Sequence, residues 1–104
     1  MCAGSQGSAV GSIKIQNART RVTEWRFAKK GDNTGWHRHE YDYVVVPLFN
    51  GCLRIQLIDG EEIVAELRHG EPYFRELGVA HDVVSDNDFE CAFIEIEFLD
   101  RPRV

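Results

Sequence analysis

The chain has 104 residues, of which 43% are apolar and 28% charged, so it has room for one globular domain of ordinary composition. Twelve basic against seventeen acidic side chains give a net charge of −5, which argues against nucleic acid or an anionic membrane as a partner, since both need a basic footprint. No apolar run approaches the ~20 residues of a membrane span, and the N-terminus lacks the charged start and apolar stretch of a secretory signal.

Residues 1–12 are dominated by Gly, Ser and Ala; they offer little surface to bury against the entropy of ordering and read as a flexible tail. Residues 13–104 form the single domain. Strands are expected at Ile13–Gln16, Arg21–Phe27, Tyr41–Leu48, Cys52–Ile58, Glu62–Leu67, Glu71–Leu77, His81–Ser85 and Phe89–Leu99. The fourth alternates Leu53, Ile55 and Leu57 against Arg54 and Gln56, the period of a half-buried strand. In the last, Ile94, Ile96 and Phe98 alternate with Glu95 and Glu97, which places both glutamates toward solvent. Asn50-Gly51, Asp59-Gly60 and His69-Gly70 supply hairpin signals between these runs. No window has a helical period, and many short strands at regular spacing make an all-β sandwich or barrel. Cys2, Cys52 and Cys91 form no C-x-x-C pair and no even set, as expected of a reducing, cytoplasmic setting.

His37 and His39 are two residues apart, so on a strand both imidazoles face the same way and can converge on one metal. A third ligand must come from another strand, and His81 is placed to supply it. An H-x-H pair alone is weak evidence. The glycines around it strengthen the case. Gly31, five residues, His37-x-His39 and then Gly51 resemble the first cupin motif; Gly70, Gly78 and, after two residues, His81 resemble the second. Eighteen residues separate Gly51 from Gly70, a spacing similar to that of small single-domain cupins. The run from Gly35 to Leu48 also resembles the small cupins of β-alanine degradation in bacterial amino-acid catabolism. The resemblance implies a double-stranded β-helix (jelly-roll) barrel, one divalent metal ion and a homodimer.

Where the first motif carries its Glu ligand, the chain has Tyr43 or, counting one further, Val44. Asp42 could reach the metal only if the strand bulges. In the second motif Glu76 replaces Pro and Ser85 replaces Asn. The expected site is therefore three histidines with open positions, which suits Fe, Ni, Mn, Cu or Zn and resembles cupin dioxygenases that lack the Glu. Tyr43 shares the parity of the histidines, and two roles are open to it: a catalytic hydrogen bond to substrate, or a core tyrosine. Trp25, Phe27, Phe93 and Phe98 are assigned to barrel filling or a dimer contact. Arg38 leaves the ligand face, Arg54 and Arg75 are surface residues, Asp82 is a turn or surface residue, and His69 is an exposed turn residue. With no carboxylate seen beside the histidines, isomerase and lyase chemistry ranks below an oxygenase-like, metal-dependent enzyme acting on a small-molecule substrate. The alternative is a binding module without catalysis.

Overall fold

The computed structural model describes residues 7–100. These form β1 (Val10–Gln16), β2 (Thr20–Phe27), β3 (His37–Arg38), β4 (Tyr43–Pro47), β5 (Gly51–Leu57), β6 (Glu62–Leu67), β7 (Tyr73–Arg75), β8 (Ala80–Ser85) and β9 (Cys91–Phe98), with no helix among the described residues. Two antiparallel sheets result, ordered β1-β2-β9-β4-β7 and β3-β8-β5-β6. From β2 onward the chain passes from one sheet to the other, returning at β4, β7 and β9. This is the winding of the expected jelly roll.

Alternation explains the core. On β2, β4 and β9 every second side chain enters the space between the sheets, and there Phe27, Tyr43, Val45 and Phe93 meet Leu53 and Val83 from the opposite sheet. Phe27 is fully buried and lies 5.8 Å from the Phe93 ring, so both fill the barrel as expected. Phe98 does not: it is 40% exposed.

Two further expectations change. Val10–Ser12, assigned above to the tail, belong to β1 and pair with Glu24–Arg26 of β2. Gly11 faces the Trp25 ring, where a Cβ would meet ring carbons at 3.0 Å. The small residue thus allows close strand packing here rather than disorder. Residues 1–6 lie outside the described residues.

The polarity of β9 is also the reverse of that expected. Glu95 and Glu97 are buried, at 7% and 2% exposure, and share the inward face with Cys91 and Phe93. The reason is β9's central place, paired on one side with β2 and on the other with β4. Arg21 is the direct cross-strand partner of Glu97, and its Nε and Nη2 donate to the two carboxylate oxygens at 2.7 and 3.0 Å. A bidentate ion pair compensates the buried charge. Ile96 faces outward between Val22 and Val44, its cross-strand neighbours, and Ile94 faces the same way opposite Val46.

Candidate metal centre

His37 and His81 are cross-strand partners on β3 and β8. His39 lies just past β3, where its N–H donates to Val79 O and its carbonyl accepts from Gly78 N, both at 2.8 Å. Gly78 has φ of 97°, a conformation that a Cβ disfavours. The second glycine motif thus clamps the second histidine of the first motif. The loop before His37 is held by Asp82, whose carboxylate accepts from Gly35 N at 3.0 Å and from Asn33 Nδ2 at 2.9 Å. Asp82 is a brace for this loop rather than a surface residue.

This framework brings the three Nε2 atoms together. His37 and His39 approach to 3.0 Å and His39 and His81 to 3.1 Å. Two ligands at right angles on one ion, each ~2.1 Å from it, lie ~3.0 Å apart, so the spacing fits a facial set. The protonation states fit as well. His37 Nδ1–H donates to Gly35 O at 2.8 Å, leaving the Nε2 lone pair directed into the cluster. Burial lowers the pKa of His37, with the Gly35 bond opposing it. Burial, then His37 and His81, pushes His39 down to about 3. Burial, then His37 and Arg75, pushes His81 down to about 4. Neutral imidazole is the form that binds a metal.

His39 is 1% exposed and its Nδ1 has no hydrogen-bond partner among the described residues. Its ring is held by stacking on Tyr43, centroids 3.9 Å apart and planes 18° from parallel. Tyr43 is 3% exposed and belongs to the core while also lining the cavity beside the histidines. Asp42 does not swing inward: its carboxylate accepts from Leu77 N at 2.9 Å on the exposed side. His69 and Arg38 are exposed, as expected.

The histidines open onto a cavity of about 490 Å³ between the sheets, walled by Trp25, Tyr43, Leu53, Tyr73, Phe93 and Glu95 among others. Arg75 lies exposed on its rim, its guanidinium 4.5 Å from the Tyr73 ring centre. Arg54 faces the other way, toward Asp86 and Glu62. Burial, with a smaller contribution from Glu95, raises Tyr73 to about 12.

The carboxyl absent from the motif position therefore has a neighbour from a different strand. Glu95 Oε2 lies 4.0 Å from His39 Nε2, and Glu95, Glu97 and His39 form a second group able to hold an ion. Burial, then the adjacent Glu97, raises Glu95 to about 8, against a hydrogen bond from Trp25 and the charge of Arg21. The premise that no carboxyl stands beside the histidines is thus corrected. Trp25 packs against the core, as expected of barrel filling, and also lines the cavity beside this carboxyl.

No family model matches the sequence. The chain is, however, 46% identical over 89 residues to the β-alanine degradation protein BauB of Pseudomonas aeruginosa, covering 86% of this chain and 92% of that one. The crystal structure of a cupin domain from Bordetella pertussis matches with TM-score 0.83 and 42% identity, over 92% of this chain and 98% of that one. The chain is a cupin of the BauB family. A cupin superfamily protein from Desulfitobacterium hafniense, 14% identical, shares the fold with TM-score 0.67 over 94% of this chain and 84% of its own.

In this cupin the motif glycines and histidines carried the signal that located the site. Glu95, Glu97, Arg21, Asp82 and Tyr73 escaped it because none belongs to either motif. One signal was available for the pair: Arg21 has the same parity as Thr23, Trp25 and Phe27, so a cation on an inward face called for a buried anion.

Proposed function

We propose that this cupin is a metal-dependent enzyme that holds one divalent ion on His37, His39 and His81 and acts, oxygenase-like, on a small polar metabolite of amino-acid catabolism. The carrying observation is the convergence of three neutral Nε2 atoms at the wall of a cavity large enough for a metabolite. BauB's name connects that relative with β-alanine degradation, and the pathway assignment follows that relationship. The ion would polarise a bound oxygen donor or activate oxygen or water. The chain orients the histidines through Gly35, Gly78 and Val79, and the cavity's apolar wall excludes bulk water.

A second reading, proton transfer of the isomerase or lyase kind, draws on the buried carboxyl of Glu95 beside His39. Metal analysis of untagged protein followed by oxygen-electrode assays with amino-acid catabolites separates the readings. Oxygen uptake supports the oxygenase. Product without oxygen uptake supports proton transfer, and bound metal without turnover on any catabolite leaves a binding module. Each His→Ala change should strip the ion, while Tyr43→Phe should keep it; loss of metal in that variant would make the phenol a ligand.

A cytoplasmic location is part of the proposal and follows from Cys52 and Cys91, which are both unpaired thiols. So is a homodimer. Across the outer face of the larger sheet, Val22, Ile96, Val44 and Phe74 stand in one cross-strand row, and Phe74 is 50% exposed. A second copy of the chain would cover this row. Sedimentation giving a monomer at micromolar concentration would refute it.

A further inference from the structure

The cross-strand register makes the inward face of the smaller sheet a gradient. His81 on β8 stands opposite Leu57 on β5. Val83 stands opposite Ile55, which is in turn set against Ile63 on β6, and Leu53 lies opposite Ala65. All of these line the cavity, so beyond the histidine this wall is aliphatic from β8 to β6. The polar groups gather at the other end. Glu95 Oε2 is 4.0 Å from His39 Nε2, and Tyr43 is stacked on the His39 ring. Thr34 also lines the cavity, but its hydroxyl donates to Gly35 O and accepts from Val83 N. The other charged lining residues, Glu66, Arg68, Glu71 and Arg75, are exposed. They mark a mouth between β6 and β7, the edge strands of the two sheets. Ile63, 48% exposed, forms its lip on the β6 side.

We propose that the substrate of this site is a monoanionic aliphatic acid, with one oxygen-bearing end held at the ion and a hydrocarbon body that runs over Leu57 and Ile55 to the lip at Ile63. The proposal rests on the metalloenzyme reading above, which supplies the anchor for the oxygen end, and narrows its metabolite to one with a single polar end. From β8 to β6 is two strand spacings, ~10 Å, the length of a chain of roughly eight carbons. The cavity of about 490 Å³ has room for it. A second charge along that body would be buried against side chains that offer it no polar partner.

Calorimetric titration of the zinc-loaded protein with butanoate, hexanoate and octanoate, and with hexanedioate, tests this. Affinity should rise about threefold for each added methylene, or about a hundredfold from butanoate to octanoate. Hexanedioate, whose second carboxylate falls short of the mouth, should bind about tenfold or more weaker than hexanoate. Ile63→Asp should remove most of octanoate's advantage over hexanoate while leaving butanoate affinity and zinc equivalents unchanged. Val64→Ser, on the same strand but on its outer face opposite Arg54, should leave the whole series unchanged, which separates cavity from surface binding. A flat series in the wild-type protein, or hexanedioate binding as tightly as hexanoate, overturns the proposal whether or not either variant folds. So does an octanoate advantage that survives Ile63→Asp or disappears in Val64→Ser. Failure of the three histidines to take zinc overturns the metalloenzyme reading and this one with it. Zinc binding with a flat series overturns this one alone.

Discussion

Replacing Arg21 by Met should unfold this cupin at a far lower temperature. The side chains of Arg21 and Glu97 are 8% and 3% exposed, so water cannot replace the lost guanidinium. The variant would leave the buried Glu97 carboxyl without its guanidinium, with Glu95 two residues away on the same face. Breaking a buried pair from one side costs about 3–5 kcal/mol. In a domain of this size that corresponds to a fall in melting temperature of roughly 15–30 °C. The double variant Arg21→Met/Glu97→Leu removes both charges together and should recover most of the loss, because apolar replacement of a buried pair is near neutral. Thermal melts by circular dichroism, run with chelator so that metal binding does not shift the midpoint, give the two single variants and the double as a cycle. A fall of less than about 5 °C in Arg21→Met, or a double variant no more stable than that single one, would refute the claim that this pair is what permits two carboxyls on an inward face.

Gly78→Ala should weaken zinc binding about tenfold or more, because its φ of 97° and its hydrogen bond to His39 O both bear on one of the three proposed ligands. Gly60→Ala, at a similar φ of 84° in the β5–β6 turn, should cost comparable stability and leave zinc affinity unchanged in the same competition assay. His69→Ala should alter neither metal content nor melting temperature. In metal-free protein, His39 and His81 titrate at about 3 and 4 against an ordinary 6.5. Their contribution to stability is complete above pH 6.5 and is lost as the pH falls toward 4, since the unfolded chain takes up the protons first. Glu95, raised to about 8 from 4.5, acts in the opposite sense: its contribution is complete below pH 4.5 and is lost as the pH rises through 8. Melts across pH 4–9 should therefore lose their alkaline limb in Glu95→Gln and part of their acid limb in His81→Ala; unchanged limbs would contradict the assigned environments.

The strands and their turns were legible because alternation and Gly-containing dipeptides are local signals. Glu62–Leu67 appears as expected. Ile13–Gln16, Arg21–Phe27 and His81–Ser85 lengthen at their N-terminal ends, Cys52–Ile58 shifts by one residue, and the remaining three shorten. The two-residue β3 was not among the expected strands. The three-histidine cluster was legible for a different reason. The motif glycines report backbone geometry at fixed distances along the chain: Gly78 adopts positive φ and bonds to His39. Gly51 packs against the Asn87 side chain, which leaves no space for a Cβ. Such constraints survive in sequence without any knowledge of the partner strand.

The carboxyls of β9 were not legible by that route, because alternation states that two faces differ and does not say which is inside. Ile94 and Ile96 made the outward face the apolar one, and in an isolated strand that face would be buried. In this barrel the outer side of the larger sheet is itself apolar, with Val22, Val44 and Ile96 aligned across β2, β4 and β9. The inward face carries Glu97, paired with Arg21, and Glu95, which lines the cavity. What resolves the ambiguity is the parity of β2 carried over by the register: Arg21 shares the inward face with Thr23 and Phe27, and Glu97, set opposite Arg21, lies on that same face. The same register sets Glu95 opposite Val45 and carries its carboxyl to within 4.0 Å of His39. The missing motif carboxyl and the inverted polarity of β9 therefore have one cause. With Tyr43 stacked on His39 at the position where the motif places Glu, the acidic function beside the histidines comes from the neighbouring strand, and the ion pair to Arg21 makes that placement tolerable.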